Sequence, residues 1–299
     1  MFKKLLFAVC LAAATGFFAN AASAAPTDAP DKKISAEEFL ASLHFQTGKI
    51  TLPGGIATLD MPPSFRYLSP ADAKHLLVDG WGNPSAGKTL GMIVPAEVSP
   101  LSRNGWAVDI SFDKDGHVKD DDANSIKYDE LLKTMQDETR DGNEERKKSG
   151  FADVSLIGWA EQPTYDGQTH KLYWAKNIKF ADSPNNTLNY NVRVLGRDGV
   201  LVLNAISDMG QIDQIKSEMR NVTAFTDFTT GNRYADFDSK TDKVAEYGIA
   251  ALVAGGVAAK LGLFGKLFAV LLAAKKVIFL ALAGIGGSLY KFFKGKKEE

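Results

Sequence analysis

The stretch "LNYNVRVLGRDGVLVLNAI", residues 188–206, decides the fold class. Leu188, Tyr190, Val192 and Val194 alternate with Asn189, Asn191 and Arg193, the period-two pattern of a half-buried strand. Arg197-Asp198-Gly199 is a turn sequence, and a second apolar run, Val200 to Ile206, follows it. Two strand-like runs joined by so short a turn form an antiparallel hairpin. Upstream, "ADVSLIGWA" and "HKLYWAKNIKF" read as two more strands, preceded by "TLGMIVPAEV" and "GWAVDISF". "GKITLPGGIATLDMP" holds two shorter strand-like pieces around a Pro-Gly-Gly turn.

Helical patterns lie between these runs. Ser35 opens a short helix with capping-box spacing to Glu38. In "SPADAKHLL", Ser69 fits an N-cap and Pro70 the first helical position. "ANSIKYDELLKTMQDETRDGNEERKK" is amphipathic, with Ile126, Leu131 (or Leu132) and Met135 as its apolar stripe and Gly142 and Gly150 as breaks. "SDMGQIDQIKSEMRNVTAFTDF" puts Ile212, Ile215 and Met219 on one helical face. Strands in runs with segregated helices predict an α+β domain on a mainly antiparallel sheet, over residues 34–238.

The ends of the chain carry a different signal. Lys3 and Lys4, the apolar run Leu5 to Ala19 and Ala22-Ser23-Ala24 have the layout of a secretory signal peptide, residues 1–24, followed by a linker, 25–33. The only cysteine, Cys10, lies inside that signal, so the mature chain is expected to have no disulfide, cysteine-ligated metal or cysteine nucleophile. Residues 244–293 are apolar, interrupted by Lys260, Lys266, Lys275 and Lys276, with no acidic residue between Glu246 and Glu298. That pattern suits anionic lipid better than a protein core, and it predicts C-terminal apolar membrane helices. One span is expected near Tyr247 to Lys266, with Val277 to Tyr290 interfacial or a second helix. The basic tail, 294–299, favours the cytoplasmic side. The expected place is therefore the bacterial inner membrane, with the main domain in the periplasm and membrane lipid as one partner. Net charge is −1, so no bulk field recruits nucleic acid.

Several local patterns resemble sites. Gly82, Gly87, Lys88 and Thr89 complete a P-loop pattern, G-x-x-x-x-G-K-T. A P-loop needs a strand before it and a long helix after it, to aim free amides at the phosphates. Here a helical stretch precedes it, and Gly91 and Pro95 preclude the following helix, so no nucleotide is expected. Ser85 and Lys88 give S-x-x-K without the partner motifs of acyl-serine enzymes. Residues 111–122 fall near the calcium-loop register, with Asp113, Asp115, Gly116 and Val118 in place. Ser111 at the first position and Asp122 in place of glutamate make them weak metal candidates. The simpler reading is a hairpin turned at Asp115-Gly116, then acidic N-capping of the long helix. His44, His75, His117 and His170 show no metal-ligand spacing. No cofactor is expected.

"GHVKDDDANSIKYDELLKTMQ", "GWAEQPTYDGQTHKLYWAKNIKF", "LNYNVRVLGRDGVLVLNAI" and "EYGIAALVAGGVAAKLGL" together resemble an uncharacterised bacterial family, domain-of-unknown-function family 2167. The resemblance covers about Ile50 to Phe293. It implies a membrane-anchored protein and no catalytic residue. Three functions stay open: an envelope protein acting by interaction with another envelope protein; a hydrolase or ligand-binding enzyme using Asp113, Asp115, His117, Tyr165 and His170; and a transport accessory with Lys275 or Lys276 facing inward. The first is the expected one.

Overall fold

The computed structural model describes residues 34–83 and 85–254. The chain runs through α1 (Ala36–Ala41), β1 (Phe45–Gln46), β2 (Lys49–Thr51), β3 (Ala57–Asp60), β4 (Phe65–Leu68), α2 (Pro70–His75), β5 (Gly91–Pro95), β6 (Ala107–Asp113), α3 (Tyr128–Asp141) and α4 (Asn143–Lys148). It continues with β7 (Val154–Asp166), β8 (Lys171–Phe180), β9 (Asn186–Leu195), β10 (Val200–Asp208), α5 (Ile212–Ala224), β11 (Thr226–Phe228) and α6 (Ile249–Ala254). Eight strands form one sheet in the order β1-β4-β5-β6-β10-β9-β8-β7, and β11-β3-β2 form a second. Every pairing between these strands is antiparallel, so the fold is α+β.

The hairpin of residues 188–206 lies at the centre of the large sheet. Tyr190 pairs with Ala205, Val192 with Leu203 and Val194 with Leu201. Their apolar face packs with Ile215, Met219 and Val222 of α5 and with Leu59 and Phe228 of the small sheet. The other face is covered as well. Leu172, Trp174, Leu195 and Val200 pack with Met135 of α3 and with Ile249, Leu252 and Val253 of α6. Met92, Val94 and Ala107 pack with Phe39 of α1 and with Ala73 and Leu76. The expectation of a half-buried β9 therefore fails: Asn189 and Asn191 are 1% and 2% exposed. Being central, β9 is covered on both faces. The Asn191 amide is satisfied locally, donating to the Asn189 carbonyl and side-chain oxygens at 2.9 and 3.1 Å.

The local signals at helix starts hold. Ser35 and Glu38 exchange capping-box hydrogen bonds of 2.8 and 3.1 Å. Ser69 caps α2 with Pro70 in its first turn. The long amphipathic segment divides into α3 and α4 at Gly142. Residues 226–228, expected as the end of a helix, instead form β11, which pairs with β3. β1 and β4, of two and four residues, add to the strands that the sequence predicts. β7 is an edge strand, and three register shifts break its pairing with β8. Such bulges twist an edge away from pairing with another chain.

The compact unit continues through Val253, past the expected boundary at residue 238. Ile249, Leu252 and Val253, which the sequence reading gave to the membrane segment, are 0%, 3% and 1% exposed in the domain core. Among the described residues no helix is long and apolar enough to cross a membrane. The expected signal peptide (1–24) and linker (25–33), the rest of the apolar segment and the expected basic tail (294–299) lie outside the described residues.

Candidate functional site

The acidic stretch after β6 meets two distant segments. Antiparallel pairing of β7 with β8 brings the hairpin tip 166–170 beside it, and the chain after β11 supplies Tyr234 and Phe237. Tyr165 Oη donates to Asp120 Oδ2 at 2.7 Å and lies 3.1 Å from His170 Nδ1. Tyr234 Oη lies 3.3 Å from Asp120 Oδ1 and 3.1 Å from the Val118 carbonyl. His170 Nδ1 is 3.6 Å from Asp120 Oδ2. Four rings stack in succession: His170 on Tyr234 at 4.0 Å, Tyr234 on His117 at 4.2 Å, and His117 on Phe237 at 4.0 Å between centroids. His170 sits in the left-handed region at φ 52°, an uncommon conformation for a side chain of its size.

The electrostatics follow from these contacts. Burial pushes the Asp120 carboxyl up, but the Tyr165 and Tyr234 hydroxyls and nearby His170 outweigh it, leaving it below the usual value. Burial and the Asp120 charge both hold the Tyr165 and Tyr234 phenols well above theirs. Both tyrosines are therefore hydrogen-bond donors at neutral pH, not bases.

Of the five enzyme candidates, the structure gathers three, His117, Tyr165 and His170. Asp113 stands at the exposed end of β6, paired in register with Val200. Asp115 accepts the Tyr247 hydroxyl at 2.7 Å. Asp122 accepts the amides of Ile249 and Ala250 at 2.9 and 3.2 Å, so it caps α6. The expected acidic capping of α3 is not what forms: its N-cap is Lys127, without a side-chain bond. The expected hairpin at Asp115-Gly116 is also replaced, because His117 pairs with Val244 in a parallel bridge. The weak metal candidates Asp113, Asp115 and Asp122 thus face different partners. Among the described residues no group of three or more His, Cys, Asp or Glu is placed to hold a metal ion.

The P-loop-like residues lie elsewhere. The chain enters from a wide helical turn, Leu76–Gly80, and leaves Thr89 into β5. Gly82 and Gly87 have φ of 71° and 60°, and Lys88 is exposed. Thr89 Oγ1 bonds Asp109 Oδ1 at 2.7 Å. Burial pushes the Asp109 carboxyl up to about 6, against the Thr89 hydroxyl and the Ile110 amide. Folding thus favours the protonated acid, so stability falls as pH rises from the unfolded value toward about 6. Asp109→Asn should raise stability by about 1–3 kcal/mol at about pH 8 and change it little near pH 4. Denaturant unfolding at the two pH values checks this.

The sequence reading missed Asp120, Tyr234, Phe237 and Tyr247. Tyr234 and Asp120 are 114 residues apart. Only the sheet topology joins them, and no spacing rule reaches so far.

No curated protein matches the chain. Among solved structures it overlaps the solution structure of cyanobacterial PsbP (CyanoP) from Synechocystis sp. PCC 6803, at 8% identity and TM-score 0.35, covering 62% of this chain and 92% of that one. That overlap is too loose to carry an argument. The family model described as "Protein of unknown function (DUF2167)" matches residues 44–286, and the chain belongs to that family.

Proposed function

We propose that this protein is a module of the bacterial envelope that acts by binding another envelope protein, tethered at the inner membrane by its C-terminal apolar segment. One observation carries the interaction reading. The reactive-looking side chains are spent inside the fold: Asp115 on Tyr247, Asp120 on Tyr165 and Tyr234, Asp122 on the α6 amides. A carboxylate whose acceptor positions serve structural donors has less capacity left for a substrate proton. The tether reading is supported by sequence, since the apolar run continues beyond Ala254 with lysines and no acid until Glu298.

The mature chain is expected to lack cysteine, which permits a direct test. Ser149→Cys, at an exposed position, should react with a membrane-impermeant maleimide in cells with a permeabilised outer membrane. Gly295→Cys should react only after lysis. A photoactivatable label on the first cysteine should join one specific protein. Labelling of both cysteines from outside would contradict the topology, and absence of a specific adduct would contradict the interaction.

A further inference from the structure

The stretch 115–122 grips the strap that ends the folded domain. The His117 amide donates to the Lys243 carbonyl at 2.8 Å, and the Ala245 amide donates to the His117 carbonyl at 2.8 Å. Asp115 holds Tyr247 and Asp122 holds the first amides of α6. His117 is the middle residue of this clasp. Its ring is sandwiched between Tyr234 and Phe237, the residue is 6% exposed, and its Nδ1 has no hydrogen-bond partner. We propose that His117 makes the clasp pH-sensitive: protonation of its ring loosens residues 115–122 and frees the strap 243–250 from the domain. The claim concerns the folded domain alone, whatever the residues beyond Ala254 attach to.

The groups around the ring set the direction. Burial disfavours the charged imidazole most, and the like charge of His170 adds to this. The backbone of Gly196 and Arg197 and the Asp120 carboxylate oppose it, and the net is a value below the usual one. Tyr234 meets the ring as a neutral phenol. The Arg197 guanidinium is turned to Asp242, at 2.7 Å. The Lys243 contact is through its backbone. A base held below its ordinary value takes its proton more readily once released. The clasp therefore holds fully above about pH 6.5 and weakens as pH falls below it. Asp120, held below the usual carboxylate value, stays charged through that range, so the histidine and carboxylate effects separate.

Amide hydrogen exchange in the full-length protein tests the clasp at Ala245 and Ile249, with Leu203 in the central sheet as reference. Corrected for intrinsic rates, protection at Ala245 and Ile249 should fall, by up to about tenfold, between about pH 7.5 and 5.5, while Leu203 stays the more protected. His117→Phe keeps an aromatic ring in the stack without a titrating group and should abolish the fall, whereas His170→Phe should leave it. An unchanged wild type, the same fall in His117→Phe, or its loss only in His170→Phe would each overturn the proposal. If His117→Phe does not fold, NMR titration of the wild-type His117 ring decides. Its midpoint must lie below the ordinary histidine value and mark the lower end of the fall in protection, and a midpoint at or above that value refutes the clasp.

Discussion

Gly199→Ala is expected to lower the melting temperature of the protein by roughly 6–12 °C, about 3 kcal/mol of lost stability. The reason lies in the turn of the central hairpin. A Cβ at position 199 would land on the Asp113 carbonyl oxygen and 2.7 Å from the tip of the Phe112 ring. The turn cannot retreat, because the next residue, Val200, pairs with Asp113 in the sheet. The obstruction is backbone, which no rotamer change relieves. Gly167→Ala in the neighbouring hairpin is the control. There a Cβ would meet only the Tyr165 ring, at 3.8 Å, and the change should stay within about 0.5 kcal/mol. Calorimetry of the two variants separates close approach from a general effect of losing a turn glycine.

Gly116→Ala should also cost about 3 kcal/mol, and its effect should concentrate on the strap. Gly116 has φ 104°, where a side chain is strained. Its Cβ would stand 2.7 Å from the Lys243 carbonyl and 3.1 Å from the Ala245 amide. Those are the two groups that pair with His117. Relief requires the strap to move out, which pulls Ile249, Leu252 and Val253 from the core that they share with Trp174 and Leu172. Limited trypsin digestion should therefore cut Gly116→Ala after Lys243 at least about tenfold faster than the wild type, with cleavage elsewhere nearly unchanged. Uniform acceleration at all sites would show global destabilisation and no specific hold on the strap.

The sheet was legible where the signal is local. The alternation from Leu188 to Val194 and the turn at Arg197-Asp198-Gly199 specify a hairpin on their own, and Ser35 and Ser69 cap the helices they begin. What alternation cannot give is the second face. Asn189 and Asn191 look solvent-facing because they are polar, yet both are buried, and the Asn191 amide finds its acceptors on Asn189. The acidic run was read by its nearest sequence neighbours, as a turn and a cap for α3. Its true partners, Tyr165, Tyr234, Tyr247 and the α6 amides, lie 45 to 132 residues away. The apolar character of Ile249, Leu252 and Val253 was evident, but hydropathy alone does not distinguish a domain core from a bilayer. His117, Tyr165 and His170 were singled out as chemically capable residues. Their meeting around Asp120 depended on strand order.

The compact unit runs through Val253, and the proposed tether lies beyond it. Membrane fractionation with alkaline carbonate extraction tests this, comparing the full chain with one ended after Ala254, both keeping residues 1–33. The full chain should stay in the membrane pellet, and the shortened chain should be released as a folded protein with the same melting temperature. A full chain extracted into the carbonate supernatant, or a shortened chain that stays in the pellet, would contradict it.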